Sequence, residues 1–306
     1  MIHFNGVLQY NEPLAPYTAW HIGGPAEVYY RPSDPADLAI FLASRSTDEP
    51  ITFLGLGSNV LISDKGLPGT VIHLLGSATH RLQGGAPIQW VDIEHAEHSK
   101  ALRIEAGVPC AQVAKFCAQQ GLIHAEFFAG IPGTIGGALA MNAGAWGRET
   151  WQHVLQVEAI NRHGQCYSRP AKDYRINYRQ VIVPHFDEWF VAGYFHFEGG
   201  GDPTFIAQKI KELLRTRNQT QPIGVFSGGS VFKNPSSDYA GRLIEASHLK
   251  GARQGDAVIS TKHANFIINE GKAKATDVYD LITHIQATVL RDHQVFLEPE
   301  VRFLGF

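Results

Sequence analysis

The sequence predicts a fold of mixed α and β structure in two parts, and three observations support that prediction. Short apolar runs typical of strands alternate with segments of helical spacing through the first half. The run Gly199-Gly200-Gly201-Asp202-Pro203 then marks the clearest domain boundary. With 306 residues, 44% of them hydrophobic and 18% charged, the chain is long enough to form more than one core.

The first half contains a helix signal and several strand signals. A helix is expected to begin with Ser33 as its capping residue and Pro35 in its first turn, and to bury Leu38, Phe41 and Leu42. Strands are expected at residues 71–74, 89–93 and 101–105, and a second helix at residues 109–120, ended by Gly121.

The second half opens with strand signals and closes with helices. Residues 154–161 and 166–168 predict a β-hairpin, and residues 189–198 a further strand. Helical spacing follows at residues 205–214 and again from Thr276, the expected cap, to about Asp292. The apolar face of this last helix comprises Val278, Leu281, Ile282, Ile285, Val289 and Leu290.

The most unusual segment is residues 129–145, which hold five glycines and scarcely a charge. Glycine weakens helices and strands, so the backbone here is expected to approach something closely. One interpretation is a tight backbone crossing inside a core. The other is that Gly130 to Gly137 present backbone N–H groups to a diphosphate, with the Thr134 hydroxyl beside them.

A second glycine-rich loop favours the diphosphate interpretation. Residues 51–54 and 60–63 predict two strands joined by Gly55-Leu56-Gly57-Ser58-Asn59. The spacing resembles the start of a Rossmann fingerprint, but Val60 takes the place of the third glycine and no helix signal follows. No Gly-Lys-Ser/Thr follows either, which excludes a P-loop. The two loops therefore predict a dinucleotide site outside the nicotinamide-binding Rossmann fold.

Composition argues against several classes of protein. The net charge is −3 and no Lys/Arg run exceeds two residues, so a nucleic-acid or membrane surface is not expected. The first residues lack an export signal, and no apolar stretch approaches the ~18 residues of a spanning helix. Cys110 and Cys117 fall on one predicted helix face as buried thiols, and with Cys166 they fit a reduced cytoplasm.

The sequence contains no motif that supports a serine hydrolase or a metal site. Ser230 follows two glycines, but Phe232 stands where a serine-hydrolase elbow requires glycine. HExxH, CxxC and EF-hand patterns are missing from the sequence, and His95 and His98 lie in a charged segment typical of solvated surface.

Two polar segments are ambiguous by themselves. Residues 298–303 alternate so that Glu300 and Arg302 share one strand face, as in a half-buried edge strand. Arg175 and Arg179 are ordinary surface residues unless an anionic intermediate requires them.

Six segments follow one another in a specific order. They are Thr18-Ala19-Trp20-His21-Ile22-Gly23-Gly24-Pro25-Ala26, Leu54-Gly55-Leu56-Gly57-Ser58-Asn59, residues 129–144, Tyr178-Arg179, Gly229-Ser230-Val231-Phe232-Lys233-Asn234-Pro235 and Glu298-Pro299-Glu300-Val301-Arg302. Together they resemble the motif series of the UDP-N-acetylenolpyruvoylglucosamine reductase family, from about residue 14 to the C-terminus.

The resemblance implies an α+β protein. It places an FAD-binding domain of the vanillyl-alcohol-oxidase (PCMH) type at residues 14–199, in subdomains of about 14–75 and 76–199, and an α+β UDP-sugar-binding domain at residues 203–306. It also implies FAD, NADPH as hydride donor, and reduction of UDP-N-acetylglucosamine enolpyruvate to UDP-N-acetylmuramate in bacterial peptidoglycan precursor synthesis. We expect noncovalent FAD in a monomeric cytoplasmic protein.

The resemblance also implies roles for individual residues. The catalytic residues are Arg179 beside the enolate, Ser230 as proton donor, and Glu300, which orients the enolate or relays the proton. The cofactor-binding residues are Leu54, Gly55, Leu56, Gly57, Ser58, Asn59, Gly130, Ile131, Pro132, Gly133, Thr134, Gly136 and Gly137. The substrate-binding residues are Tyr178, Lys233, Asn234 and His263.

The chain departs from the family pattern in three places. It reads Tyr178-Arg179-Gln180-Val181 where many members read Tyr-Arg-Asp/Asn-Ser. The interval from Arg179 to Ser230 is short, as in the subclass without a tyrosine-bearing loop. Arg242 stands where several members carry tryptophan.

Two other functions remain open at this point. One is a flavin oxidase on the same cofactor domain that acts on an alcohol or sugar with oxygen as acceptor. The other is a nonenzymatic dinucleotide- or sugar-binding protein. Reoxidation in air without an enolpyruvyl substrate would favour the first, and a colourless protein the second.

Overall fold

Short strands and six α-helices alternate in the computed structural model, which describes residues 3–75, 87–92, 100–184 and 187–306. The helices are α1 Pro35–Ala43, α2 Cys110–Gln119, α3 Ile135–Met141, α4 Pro203–Thr220, α5 Ala240–Ala246 and α6 Ala275–His293. Over these ranges, no helix combines the length and hydropathy needed to cross a membrane.

The strands are short, and fewer than half of those described lie where the sequence analysis predicts a strand. The first nine are β1 Val7–Pro13, β2 Pro25–Arg31, β3 Ile51–Leu54, β4 Val60–Ile62, β5 Leu67–His73, β6 Ile88–Asp92, β7 Lys100–Glu105, β8 Gly144–Ala145 and β9 Arg148–Glu149. The others are β10 Val154–Asn161, β11 Cys166–Pro170, β12 Arg175–Asn177, β13 Gln180–Ile182, β14 Glu188–Phe195, β15 Phe226–Ser227, β16 Arg253–Gln254, β17 Ala257–Ile259, β18 Ile267–Asn269 and β19 Arg302–Leu304. His95 and His98 lie outside the described residues.

Two compact units make up the described chain, each assembled from three stretches of sequence. The first comprises the described parts of Met1–Gln9, Tyr29–Leu56 and Thr70–Arg215, and the second comprises Tyr10–Val28, Gly57–Gly69 and Thr216–Phe306. The domain limits of 14–199 and 203–306 stay a prediction.

The first unit is built on an antiparallel five-stranded sheet in the order β11-β10-β14-β7-β6. The predicted hairpin is confirmed as β10 and β11, with Ile160 opposite Cys166. The core of this unit includes Cys110 and Cys117 of α2, as expected. Burial raises the pKa of the Cys117 thiol to about 12, so this cysteine is an inert packing residue.

Strands β1, β2, β5 and β3 form, in that order, a four-stranded sheet in which β3 and β5 run parallel. The predicted cap of the nearby helix α1 is wrong by one residue. Asp34 caps it by accepting the Asp37 N–H at 2.8 Å, while the Ser33 hydroxyl donates to the carboxylates of Asp34 and Asp37. Asp34 is the residue directly before Pro35, the first helical position, so its carboxylate is the oxygen that reaches the first turn.

The second unit joins a four-stranded sheet, in the order β15-β18-β17-β16, to α5 and α6 and to a parallel pair formed by β4 and β19. Its core includes Trp20, whose indole N–H donates to the Ile267 carbonyl at 2.8 Å. The Asn269 side chain returns a bond to the Trp20 carbonyl at 2.9 Å. The Thr18–Ala26 motif is therefore a packing element of this unit.

Helix α6 begins one residue earlier than the sequence predicts, and Thr276 is not its cap. The Asp64 carboxylate accepts the N–H groups of Ala275 at 2.8 Å and Thr276 at 3.0 Å. An acceptor more than 200 residues away leaves no local spacing signal, which explains the error. Leu290, placed on the apolar face by the sequence pattern, is 43% exposed.

Candidate active site

The loop between β3 and β4 presents a row of backbone N–H groups. Among the residues that the structure describes, no protein acceptor receives a hydrogen bond from the N–H groups of residues 55–59. Gly57 has φ +59°, and a Cβ there would lie 2.1 Å from the Tyr17 carbonyl oxygen, so only glycine fits. Consecutive N–H groups of this kind form a concavity that suits an anion.

The second glycine-rich segment is a loop only in its first part and continues as a helix, although glycine weakens helices. Residues 135–141 form α3, and the Thr134 hydroxyl caps it by accepting the Gly137 N–H at 3.4 Å. A Cβ at Gly136 would lie 3.0 Å from the Ala106 Cβ, so this glycine serves close packing. Tertiary packing outweighs the low helix propensity of glycine here.

The diphosphate interpretation of this segment stays a prediction, and the structure narrows it, because the N–H groups of Ile131, Gly136 and Gly137 already donate to protein acceptors. Gly136 is a tight backbone crossing, whereas the N–H groups of Gly133 and Thr134 have no protein acceptor within the described part of the chain. Gly55 of the first loop lies against this segment, since a Cβ there would be 2.6 Å from the Thr134 Oγ1. The donors of each loop, taken by itself, fit an anionic group such as a phosphate.

Arg179 occupies the turn between β12 and β13, with φ +56°. Its Nη2 donates to the Gly144 carbonyl at 3.0 Å and its Nη1 to the Asn142 carbonyl at 3.4 Å. The guanidinium carbon also lies 5.0 Å from the centre of the Tyr178 ring. Arg175 is instead an exposed residue of β12. The structure therefore holds the Arg179 guanidinium in place.

Asn142 organises the turn, a role that its place in the sequence did not predict. It is 1% exposed and ends α3 with φ 43°. Its side-chain Nδ2 donates to the Glu149 carboxylate at 2.7 Å and to the Asn177 carbonyl at 3.2 Å. Asparagine is among the few residues that tolerate a left-handed helix end, so Asn142 after the alanine-rich stretch was a usable signal.

The segments that carry Ser230 and Glu300 run antiparallel beside each other in the second unit. The Glu300 N–H donates to the Val231 carbonyl at 2.8 Å, and the Lys233 N–H to the Glu298 carbonyl at 2.9 Å. The C-terminal strand β19 starts only at Arg302, so the predicted alternation of Glu300 and Arg302 on one strand face is wrong. Glu300 lies before that strand because its N–H is bonded to Val231 instead.

Asn59 approaches the same segment from the first glycine-rich loop. Its Nδ2 donates to the Glu300 carbonyl at 3.1 Å, and its own carbonyl accepts the Arg302 N–H at 3.0 Å. The side chain and carbonyl of this predicted cofactor residue thus hold the backbone on both sides of Val301. Its backbone N–H remains part of the donor row described above.

The predicted substrate residues of the second unit form hydrogen bonds and an ion pair with other side chains and backbone groups of that unit. Lys233 pairs with Glu298 at 2.5 Å, and the Asn234 Oδ1 accepts the Ala240 N–H at the start of α5. The His263 Nδ1 accepts the Asn265 N–H at 3.3 Å, and burial lowers its pKa, which favours the neutral ring. Arg242 forms an exposed ion pair with Asp238.

Comparison with known proteins identifies the family. A model of the C-terminal domain of UDP-N-acetylenolpyruvoylglucosamine reductase matches residues 221–304, and a model of an FAD-binding domain matches residues 26–168. The reductase of Coxiella burnetii (strain Dugway 5J108-111) is 47% identical over 98% of this chain and 96% of its own. The chain belongs to the UDP-N-acetylenolpyruvoylglucosamine reductase family.

Other members of the family agree. The reductase of Alkalilimnicola ehrlichii is 49% identical over 98% of this chain and 95% of its own. The crystal structure of the reductase from Thermus caldophilus matches with a TM-score of 0.79 and 30% identity, over 99% of this chain and all of that one. The predicted fold class, the FAD-binding domain and the flavin-dependent oxidoreductase assignment are thereby confirmed. The oxidase and the nonenzymatic alternatives lose their support.

We predict that FAD is bound without a covalent link, because the loops offer hydrogen-bond donors and no residue is singled out as a point of attachment. Acid precipitation of the yellow protein should release its colour into the supernatant. Colour that stays in the pellet after washing would contradict this prediction.

Proposed function

We propose that the protein catalyses the NADPH-dependent reduction of UDP-N-acetylglucosamine enolpyruvate to UDP-N-acetylmuramate, in bacterial peptidoglycan precursor synthesis. The observation that carries the proposal is the antiparallel pairing of the Ser230 and Glu300 segments. It supports a proton donor and a carboxylate acting on one substrate, in a chain that belongs to the reductase family. We further propose that the protein works as a monomer in the cytoplasm, and that it is of the subclass without the tyrosine-bearing loop.

When held by the glycine-rich loops, FAD would supply hydride, taken from NADPH, for the terminal methylene carbon of the enolpyruvyl ether. Negative charge then develops beside the substrate carboxylate. The planar guanidinium of Arg179, held by two backbone carbonyls, matches a carboxylate or enolate with two parallel N–H groups. Such preorganised donors stabilise the charge without having to reorganise during the reaction.

The protonation step is assigned to Ser230. A serine hydroxyl is a weak acid, so it serves only against a strongly basic carbon and in a fixed position. Backbone bonds hold its neighbour Val231, whose N–H donates to the Asn265 carbonyl at 2.9 Å and whose carbonyl accepts from Glu300. We assign Glu300 the role of orienting the enolate or relaying the proton that restores the hydroxyl.

The UDP-sugar is assigned to Tyr178, Lys233, Asn234 and His263. Lys233 is paired with an exposed carboxylate, that of Glu298, and a phosphate would compete for the same ammonium group. Asn234 uses its Oδ1 internally, which leaves its Nδ2 oriented as a donor.

Product analysis in heavy water tests the proposed function. With enolpyruvyl-UDP-N-acetylglucosamine and NADPH, mass spectrometry should find a product that has gained two hydrogens, with solvent deuterium at the carbon beside the carboxylate. Consumption of NADPH with unchanged sugar nucleotide and formation of hydrogen peroxide would contradict the proposal.

A separate prediction concerns Asn59. Replacing it with alanine removes the bond to the Glu300 carbonyl but keeps the backbone N–H, so FAD content should stay normal. Loss of one hydrogen bond that positions Glu300 should slow reoxidation by substrate up to about tenfold. The control is Asn161→Ala, on the exposed β10–β11 turn, which should leave that rate unchanged. Loss of FAD without a slower rate would assign Asn59 to the cofactor alone.

A further inference from the structure

A histidine lies buried beneath the first glycine-rich loop. His73, the last residue of β5, is 2% exposed. Its Nε2 is 3.0 Å from the Gly55 carbonyl oxygen, and its Nδ1 is 2.7 Å from the Tyr29 hydroxyl. A carbonyl oxygen can only accept, so Nε2 carries the hydrogen, and in the neutral ring Nδ1 accepts from Tyr29.

The surroundings keep this ring neutral. Burial lowers the pKa of His73 to about 4, and the nearby charge of Arg31 acts in the same direction. The bond to the Gly55 carbonyl opposes this shift without overcoming it. At neutral pH the ring is therefore a fixed donor on one side and a fixed acceptor on the other.

The bond to Gly55 sets the direction of the next N–H group. The peptide bond between Gly55 and Leu56 is planar and trans, so its carbonyl and its N–H point in opposite directions. Because His73 draws the carbonyl into the core, the Leu56 N–H points away from the core. This N–H belongs to the row that has no protein acceptor among the described residues.

We propose that His73, oriented by Tyr29, is a positioning residue for FAD, because it turns the Gly55–Leu56 peptide so that the Leu56 N–H faces the cofactor diphosphate. The Thr134 side chain packs closely against the same glycine, since a Cβ at Gly55 would lie 2.6 Å from the Thr134 Oγ1. The inference rests on FAD binding alone and is independent of the enolpyruvyl reaction.

Three variants test the geometry. In His73→Gln the side-chain amide can reach the position of Nε2 and donate to Gly55, whereas the shorter amide of His73→Asn cannot. Tyr29→Phe removes the hydroxyl that orients the ring. The matched control is Tyr30→Phe on the same strand, since the Tyr30 hydroxyl is also buried but bonds to Asp37.

The measurement is the FAD dissociation constant of the full-length protein, stripped of flavin and titrated with FAD, together with thermal unfolding of each flavin-free variant. We expect His73→Asn to weaken FAD binding about tenfold, His73→Gln less than about threefold, and Tyr29→Phe by an intermediate factor. Tyr30→Phe should lower the melting temperature without changing the affinity for FAD.

The proposal is overturned if His73→Gln and His73→Asn weaken FAD binding equally, or if Tyr30→Phe weakens it as much as His73→Asn. Either result would make the histidine a packing residue of the core. If His73→Asn does not fold, Tyr29→Phe decides the question, and an unchanged FAD affinity in that variant overturns the proposal.

Discussion

The Ser230→Ala variant is expected to keep its FAD and to oxidise NADPH at the parent rate. The rate at which substrate reoxidises its reduced flavin should fall by about 10⁴-fold or more. The substitution removes one oxygen and none of the backbone bonds that hold the segment. Hydride addition is productive only if the carbanionic carbon is protonated before the hydride returns. A serine that protonates so basic a carbon should lie at or above the upper end of general-acid effects.

Anaerobic reoxidation of the reduced protein by enolpyruvyl-UDP-N-acetylglucosamine is the direct measurement for this variant. Ser227→Ala, three residues upstream in β15, is the matched control and should react like the parent. If Ser230→Ala reoxidises within tenfold of the parent, Ser230 is not the donor. Glu300, acting through a water molecule, would then be the candidate.

Arg179→Lys is expected to lower turnover by about 10²- to 10³-fold while FAD content stays close to normal. Lysine keeps the charge but loses the planar fork that binds the Asn142 and Gly144 carbonyls together. The point charge would no longer be aligned with a developing enolate.

The matched control is Arg175→Lys on the exposed face of β12. Steady-state turnover and flavin absorbance of both variants separate the two arginines. A normal rate for Arg179→Lys together with a slow Arg175→Lys would assign the catalytic role to Arg175.

Much of the fold could be predicted because its signals are local. The β10–β11 hairpin and α2, with Gly121 after its end at φ +67°, follow from spacing and turn residues alone. Helix α3 could not be predicted from local signals, since its stability depends on Gly136 packing against Ala106, a contact between distant segments. The acceptor of the first N–H groups of α6 could not be predicted for the same reason, because Asp64 is remote in sequence.

The candidate site was predictable where its chemistry is carried by motifs. The composition and spacing of the two glycine-rich loops favour a diphosphate site, which stays a prediction. The residues that orient those loops gave weaker signals. His73 stands as a single polar residue in an apolar strand, and its role depends on the Tyr29 and Gly55 contacts, which sequence spacing does not reveal.

The most direct test of the account is a sequential anaerobic mixing experiment on the native protein. NADPH added first should bleach the yellow flavin absorbance, and enolpyruvyl-UDP-N-acetylglucosamine added next should restore it in the absence of oxygen, with one product molecule formed per flavin. Absorbance that returns only when air is admitted, whether or not the sugar nucleotide is present, would contradict the proposed reaction.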